Sequence, residues 1–285
     1  MSDQLSWGAG LRIGYERYGE GPRKVFYVHG FPGSRFQGRF LEPHCKELGI
    51  EVVAFERPGY GLSEHPGKAT SLLSTAQMVE AMAGQLGWRR FHLIGVSGGA
   101  PYALGAASHL PDRVASIHLV CGLGPLSDPE FRAVFPRRFH MTMRMMRRVP
   151  SPVLHRLIRR RIGRAQPDPD KDHPFLPGLS LVDQQVISRP EIFPAIQKSL
   201  EAAFSQGVLG AKNDLRIYLK PWCLDWKSIQ CPTQVWHGLE DHLIPPKFSE
   251  IFASRIAPSQ LKLVPGEGHY SLPIRRAREI LACIG

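Results

Sequence analysis

Nothing in the 285 residues approaches the ~18 consecutive apolar positions of a membrane span. The first ten, MSDQLSWGAG, lack the charged-then-apolar pattern of an export signal. These two absences set the expectation of a cytoplasmic protein. Cysteine is sparse: Cys45, Cys121, Cys223, Cys231 and Cys283 are odd in number, scattered, and form no C-x-x-C pair. Disulfide frameworks and zinc sites need clustered thiols, so buried or idle cysteines and no metal are expected, with Cys121 a core residue. Internal repeats and low-complexity segments are also missing. With 43% apolar and 21% charged residues, the chain has the composition of a globular protein. Its length allows one large domain, or one domain carrying an insertion.

Acidic charge is missing from one place in particular. Between Phe131 and Arg164 there are eleven arginines and no lysine, aspartate or glutamate. Since 36 basic and 25 acidic residues give the net charge of +11, the rest of the chain balances at 25 of each. The excess belongs to one segment, so the fold as a whole is not a polyanion binder. No nucleic-acid partner is expected, because no known binding module accompanies the charge. Arginine there alternates with Phe, Met, Leu and Ile at helical spacing. Solvated arginines on amphipathic helices are the simplest reading, and weak contact with an acidic substrate or an anionic surface is the alternative. Four of the seven methionines (Met141, Met143, Met145, Met146) cluster here. Met141, Met143 and Met146 with Phe139 are the expected lining of a substrate pocket suited to an apolar group.

Short runs rich in Val, Ile and Phe predict strands at 11–18, 25–29, 51–55, 91–96, 114–121, 233–237 and 261–265. Helical patterns lie near 72–86, 99–109, 246–257 and 274–283, with Pro101 suited to a first helical turn. This alternation predicts an α/β fold with a mostly parallel central sheet flanked by helices. It stops from 124 to 230, where the pattern is helical: Leu154, Ile158 and Ile162 share one face, and Ile192, Ile196, Ala203 and Phe204 another. The turn-rich stretch RAQPDPDKDHPFLPG separates them. The expected organisation is a core of 1–123 and 231–285 with 124–230 as an all-helical cap over the carboxyl edge of the sheet.

Four segments carry chemistry. Gly95-Val96-Ser97-Gly98-Gly99 fits G-x-S-x-G between a strand and a helix, a turn whose strained nucleophile needs small neighbours. A serine reacts at neutral pH only with a base beside it. His29-Gly30-Phe31-Pro32-Gly33 follows a strand. Pro32 has no N–H, so Phe31, with Gly98, is the candidate main-chain donor to a developing oxyanion. In His237-Gly238-Leu239-Glu240-Asp241-His242, Asp241 is the carboxylate placed to orient an imidazole, with Glu240 and His242 as competitors. Gly266-Glu267-Gly268-His269-Tyr270 offers His269 as a base in a Gly-flanked loop.

Taken together, these segments resemble the α/β-hydrolase superfamily, in its branch with a serine nucleophile and a helical cap. The resemblance implies the order Phe31, Ser97, Asp241, His269 for oxyanion loop, nucleophile, acid and base. Glu56-Arg57-Pro58-Gly59-Tyr60-Gly61-Leu62-Ser63 is similar to another loop of the family, with Glu56 where many relatives carry aspartate. Relatives that open epoxides or remove halides use aspartate at the position of Ser97, so the resemblance implies neither activity here. Gly98 differs from the bulky residue of the iminopeptidases and from the methionine common in C–C hydrolases. What it implies is cleavage of a small-molecule carboxylic ester through an acyl-enzyme, without a cofactor. Lipase, lactonase, thioesterase, perhydrolase, C–C hydrolase and iminopeptidase activities stay open, as does a ligand receptor that keeps the fold with little turnover.

Overall fold

The computed structural model describes residues 3–8, 10–166, 168 and 178–285. The turn-rich stretch 164–178 lies largely outside them. Eight strands form one sheet: β1 (Asp3–Trp7), β2 (Leu11–Tyr18), β3 (Arg23–Val28), β4 (Ile50–Phe55), β5 (Phe91–Val96), β6 (Val114–Val120), β7 (Thr233–Gly238) and β8 (Ser259–Val264). Their spatial order is β1-β2-β4-β3-β5-β6-β7-β8. β1 and β2 run antiparallel to their neighbours and every other pair is parallel. The apolar runs at β3, β4, β5 and β6 are buried because helices cover both faces of the sheet.

The flanking and inserted helices are α1 (Glu42–Cys45), α2 (Leu72–Gln85), α3 (Ala100–His109), α4 (Pro129–Val134), α5 (Arg137–Arg148), α6 (Ser151–Ile162), α7 (Leu181–Ile187), α8 (Phe193–Ala203), α9 (Leu209–Tyr218), α10 (Lys247–Arg255), α11 (Ser271–Arg275) and α12 (Ala277–Ala282). None is long and apolar enough to cross a membrane. Two details depart from the sequence reading. β1 is an additional strand, where Leu5 and Trp7 pack on the core from a five-residue edge too short to register as a periodic pattern. The helix expected over 274–283 is two pieces broken at Arg276, whose guanidinium reaches Glu267 at 2.9 Å and Glu279 at 2.8 Å.

Helices α4 to α9 fall between β6 and β7. The two apolar faces expected there meet each other: Leu154, Ile158 and Ile162 of α6 pack with Ile196, Leu200, Ala203 and Phe204. The same cluster takes in Phe31, Tyr60, Leu243 and Tyr270, which belong to the loops leaving β3, β4, β7 and β8. The insert is thereby seated over the carboxyl ends of the strands.

A buried ion pair fastens it there. Arg57, in the loop after β4, and Asp214 of α9 are each 1% exposed and meet at 2.6 Å. Burial works against the Arg57 charge, and the Asp214 carboxylate outweighs it, so the guanidinium stays protonated. Tyr60 donates to Asp214 at 2.8 Å, and Tyr102 donates to its other oxygen. The remaining Arg57 donors go to the carbonyls of His29 and of Gly30, the latter at 3.2 Å. Arg35 is likewise spent structurally, on Glu56 at 2.6 Å and Glu16 at 3.4 Å.

Removing one partner of a buried pair strands the other, which costs about 3–5 kcal/mol. Asp214→Ala is therefore expected to lower the melting temperature by roughly 10 °C. An apolar double replacement, Arg57→Met with Asp214→Leu, is expected to recover most of that loss. Thermal unfolding of the three proteins checks this; an unchanged melting temperature for the single variant would remove the pair from the seam.

Candidate functional site

Ser97 stands where β5 turns into α3 and takes a left-handed backbone conformation, φ 53°, rare for a residue with a side chain. The glycines around it are required by close approach. A Cβ at Gly95 would lie 2.9 Å from the Ala103 Cβ, one at Gly98 2.3 Å from the Tyr218 hydroxyl, and one at Gly99 2.2 Å from the Val28 carbonyl oxygen. Strand and helix can pack this tightly only without those atoms.

Three side chains far apart in sequence converge here. The Ser97 hydroxyl lies 3.0 Å from Nε2 of His269, and Nδ1 of His269 lies 2.7 Å from Oδ2 of Asp241. All three residues are at least nine-tenths buried. Asp241 also accepts the main-chain N–H groups of Leu243 and Ile244 on Oδ1, each at 2.9 Å. Its neighbours Glu240 and His242 are exposed, which separates the three candidates of that loop. Burial alone would raise the Asp241 pKa. The imidazole of His269, together with hydrogen bonds from His237 and His269, instead holds it well below the ordinary carboxylate range. His269 moves the other way: burial lowers it, the Asp241 charge and hydrogen bond outweigh that, and its pKa is raised above 6.5.

The loop after β3 passes alongside. The Cβ of Phe31 is the nearest carbon to the position a Gly98 Cβ would take, so the two residues face each other. Among the described residues, no turn or loop hydrogen bond engages the N–H of Phe31 or of Gly98. The Gly98 peptide is held from behind by the Tyr218 hydroxyl, 2.9 Å from its carbonyl oxygen and 3.2 Å from Asp214. Gln37 accepts the Gly30 N–H at 2.8 Å and steadies the start of the loop.

The cavity that Ser97 and His269 face has a volume of about 30 Å³ and is lined by Tyr27, Phe31, Phe40, Ile196, Tyr270 and Ile274. This corrects the expected lining. Met143 is buried, but in the cluster that holds Phe131, Phe135 and Phe248. Phe139 stacks on Phe135 with ring centres 3.9 Å apart, and Met146 packs against the same cluster. Met141 is 62% exposed. The apolar side of α5 turns toward α9 and α4, away from Ser97, and the wall over the serine comes from α8 through Ile196.

Sequence reasoning missed three contributors. His237 lies 3.2 Å from Asp241 and is itself held by Ser249 at 2.6 Å and the Ile244 carbonyl at 2.8 Å. With Cys121 and Asp241 it brings metal-ligating atoms within 4.8 Å of one another, although hydrogen bonds already engage both its ring nitrogens and both Asp241 oxygens. Asp183 of α7, fully buried, accepts the main-chain N–H groups of His269, Tyr270 and Ser271 at 2.8, 2.9 and 2.8 Å. Asp214 reaches the site through Tyr218. Both acids lie in helices that carry no motif, and no residue of either helix gave a sequence signal beyond the helical pattern of 124–230.

Comparison with known proteins agrees with this architecture. The model of the α/β hydrolase fold family matches residues 24–274. A stretch of 116 residues, 40% of this chain, is 34% identical to the dihydrolipoyllysine-residue acetyltransferase component of the acetoin cleaving system of Cupriavidus necator, of which it covers 30%. The chain spans less than half the length of the curated relatives it matches. Among solved structures, a bromoperoxidase from Bacillus anthracis superposes with a TM-score of 0.76 at 17% identity, over 99% of this chain and 97% of that one. An esterase from Exiguobacterium antarcticum superposes with a TM-score of 0.73 at 18% identity, over 98% and 97%. The chain belongs to the α/β hydrolase fold family.

Proposed function

We propose that this chain is a serine hydrolase that cleaves carboxylic esters through an acyl-enzyme. The observation that carries the reading is the continuous relay from Ser97 through both ring nitrogens of His269 to Asp241, at 3.0 and 2.7 Å. His269 takes the Ser97 proton as the hydroxyl oxygen attacks the ester carbonyl. The negative charge that develops on the carbonyl oxygen is met by the N–H groups of Phe31 and Gly98. Asp241, ionised and fixed by two main-chain donors, holds the ring in the tautomer with its proton on Nδ1 and stabilises the imidazolium that forms. Protonated His269 then gives its proton to the departing alcohol. Neutral again, it activates a water that releases the acyl group and restores Ser97. Three side chains and two main-chain N–H groups do this work without a cofactor.

Substrate preference follows from the space beside Ser97. That space is narrow, about 30 Å³. Its walls are mostly apolar, which supports a short apolar acyl group in place of a long chain. The helical insert acts as the cap that closes this space. A second partner is supported by its outer surface: all eleven arginines between 131 and 164 are exposed, with Met141 and Met145 on α5 and Val153 and Leu157 on α6 exposed among them. Such a surface suits weak contact with anionic lipid.

Ser97→Ala is expected to lower kcat on p-nitrophenyl acetate by roughly a million-fold. A fluorophosphonate probe is expected to label Ser97 of the native protein rapidly. Slow labelling combined with tight binding of a small molecule would favour a receptor on the same fold. Across a series of p-nitrophenyl esters, acetate and butyrate are expected to give kcat/KM at least tenfold above laurate; an equal or reversed order would refute the short-acyl reading. Sedimentation with phosphatidylserine vesicles is expected to carry the protein down at low salt and release it at high salt. Equal recovery with neutral vesicles, or preference for duplex nucleic acid, would refute the anionic-lipid contact.

A further inference from the structure

His269 is held at two places by two different acids. Asp241 holds its ring, from the loop after β7. Asp183 holds its main chain, from helix α7 of the insert. The Asp183 carboxylate faces three consecutive N–H groups: Oδ2 accepts from His269, and Oδ1 accepts from Tyr270 and Ser271. Its side chain is fully buried, and it is carried by a short helix whose Val186 and Ile187 are buried in turn. Gly268 leaves room for it, since a Cβ there would come within 2.4 Å of Oδ2. The loop is tied once more by the Ser271 hydroxyl, which accepts the Gly268 N–H at 2.7 Å. A carboxylate is a stronger acceptor than any neutral group the chain offers in its place.

We propose that Asp183 is a positioning residue: from the insert it fixes the main chain of residues 269 to 271, so that the His269 ring reaches Ser97 and Asp241 at once. The proposal rests on the serine-hydrolase reading for its kinetic consequence, though not for its geometry. His269 is anchored twice, its backbone by Asp183 and its ring by Asp241. The insert thus contributes to the proton relay as well as roofing it. Any movement of α7 away from the core takes the anchor of the base with it.

The groups facing His269 leave a clear electrostatic expectation. They are the carboxylates of Asp241 and Asp183 and the phenol ring of Tyr270, with His237 and the thiol of Cys121 beside Asp241. Burial pushes the thiol and the phenol up, so both stay neutral. Asp183 is one of the two negative charges that favour the imidazolium, after Asp241. Loss of its charge is therefore expected to shift the His269 titration, and the acid limb of kcat/KM with it, to lower pH.

The test is Asp183→Asn, which retains the shape and one carbonyl acceptor but turns an amide N–H₂ toward the other N–H. Asp183→Ser, with a small neutral hydroxyl, serves if the first variant fails to fold. Both are compared with the native protein by steady-state kinetics on p-nitrophenyl acetate across pH and by NMR titration of the His269 ring. Expected are a fall in kcat of about ten- to a hundred-fold, the scale of a misplacement near 1 Å, KM within about twofold, and the shift to lower pH. A kcat within twofold of native, or an unshifted imidazole titration, overturns the assignment. Native protein that turns over no ester would overturn the hydrolase reading alone, and the ring titration would then decide the role of Asp183.

Discussion

A serine at φ 53° between a buried strand and a helix is the constraint on which the remaining arrangement rests. The conformation is costly for a residue with a side chain, and it persists only where the surroundings over-determine it. Here they do so from three sides. Gly95 lets α3 approach β5, Gly99 lets the turn pass under the Val28 carbonyl, and Gly98 makes room for Tyr218. The outcome is a hydroxyl lifted clear of the sheet and aimed at an imidazole that arrives from the far end of the chain. Each of those glycines is visible in the pentapeptide, and each has a separate steric partner.

The seam between insert and core is built from buried charge more than from apolar contact alone. Asp214 meets Arg57 beneath the loop that carries Phe31, and Asp183 meets the loop that carries His269. An apolar seam could slide by a helical turn with modest loss, because apolar contacts are non-directional. A buried carboxylate cannot, because any register other than its own leaves it unpaired at several kcal/mol. The two acids therefore specify where the insert sits relative to the two loops that matter most for the chemistry. Their partners also differ in kind. Arg57 supplies a full charge, while the His269 loop supplies three main-chain dipoles.

The legible part of the site was the part written in residues with few alternatives. Ser97 stood out between its glycines, while Phe31, Asp241 and His269 were singled out by the loops they occupy and by the order the family resemblance implies. The alternating strands and the two apolar faces of the insert were equally readable, because burial imposes a period. Asp183 and Asp214 were not. A carboxylate in a helix is ordinarily a solvated one, and nothing local distinguishes a buried example from a surface one. The same limit explains the methionine cluster. Met143 was expected to line the substrate pocket, but periodicity says only that a face is covered, not what covers it. The neighbour is α9 and the phenylalanines around Phe135, so Met143 and Met146 support the insert from within, while Met141 and Met145 are exposed.

Space and charge around the insert point in opposite directions. Inside, the space beside Ser97 is narrow, about 30 Å³. Outside, eleven exposed arginines and four exposed apolar side chains form a surface suited to something far larger. Under the proposed reading the two are compatible, the surface governing where the protein resides and the cavity what it cleaves. Affinity for an anionic layer depends on summed charge and needs no shaped pocket, whereas selection at a buried nucleophile depends on volume. Since α5 carries its arginines on one side and packs on α9 with the other, while Asp214 of that same α9 reaches the Gly98 peptide through Tyr218, the outer surface and the turn beside Ser97 are joined by a single layer of packed helices.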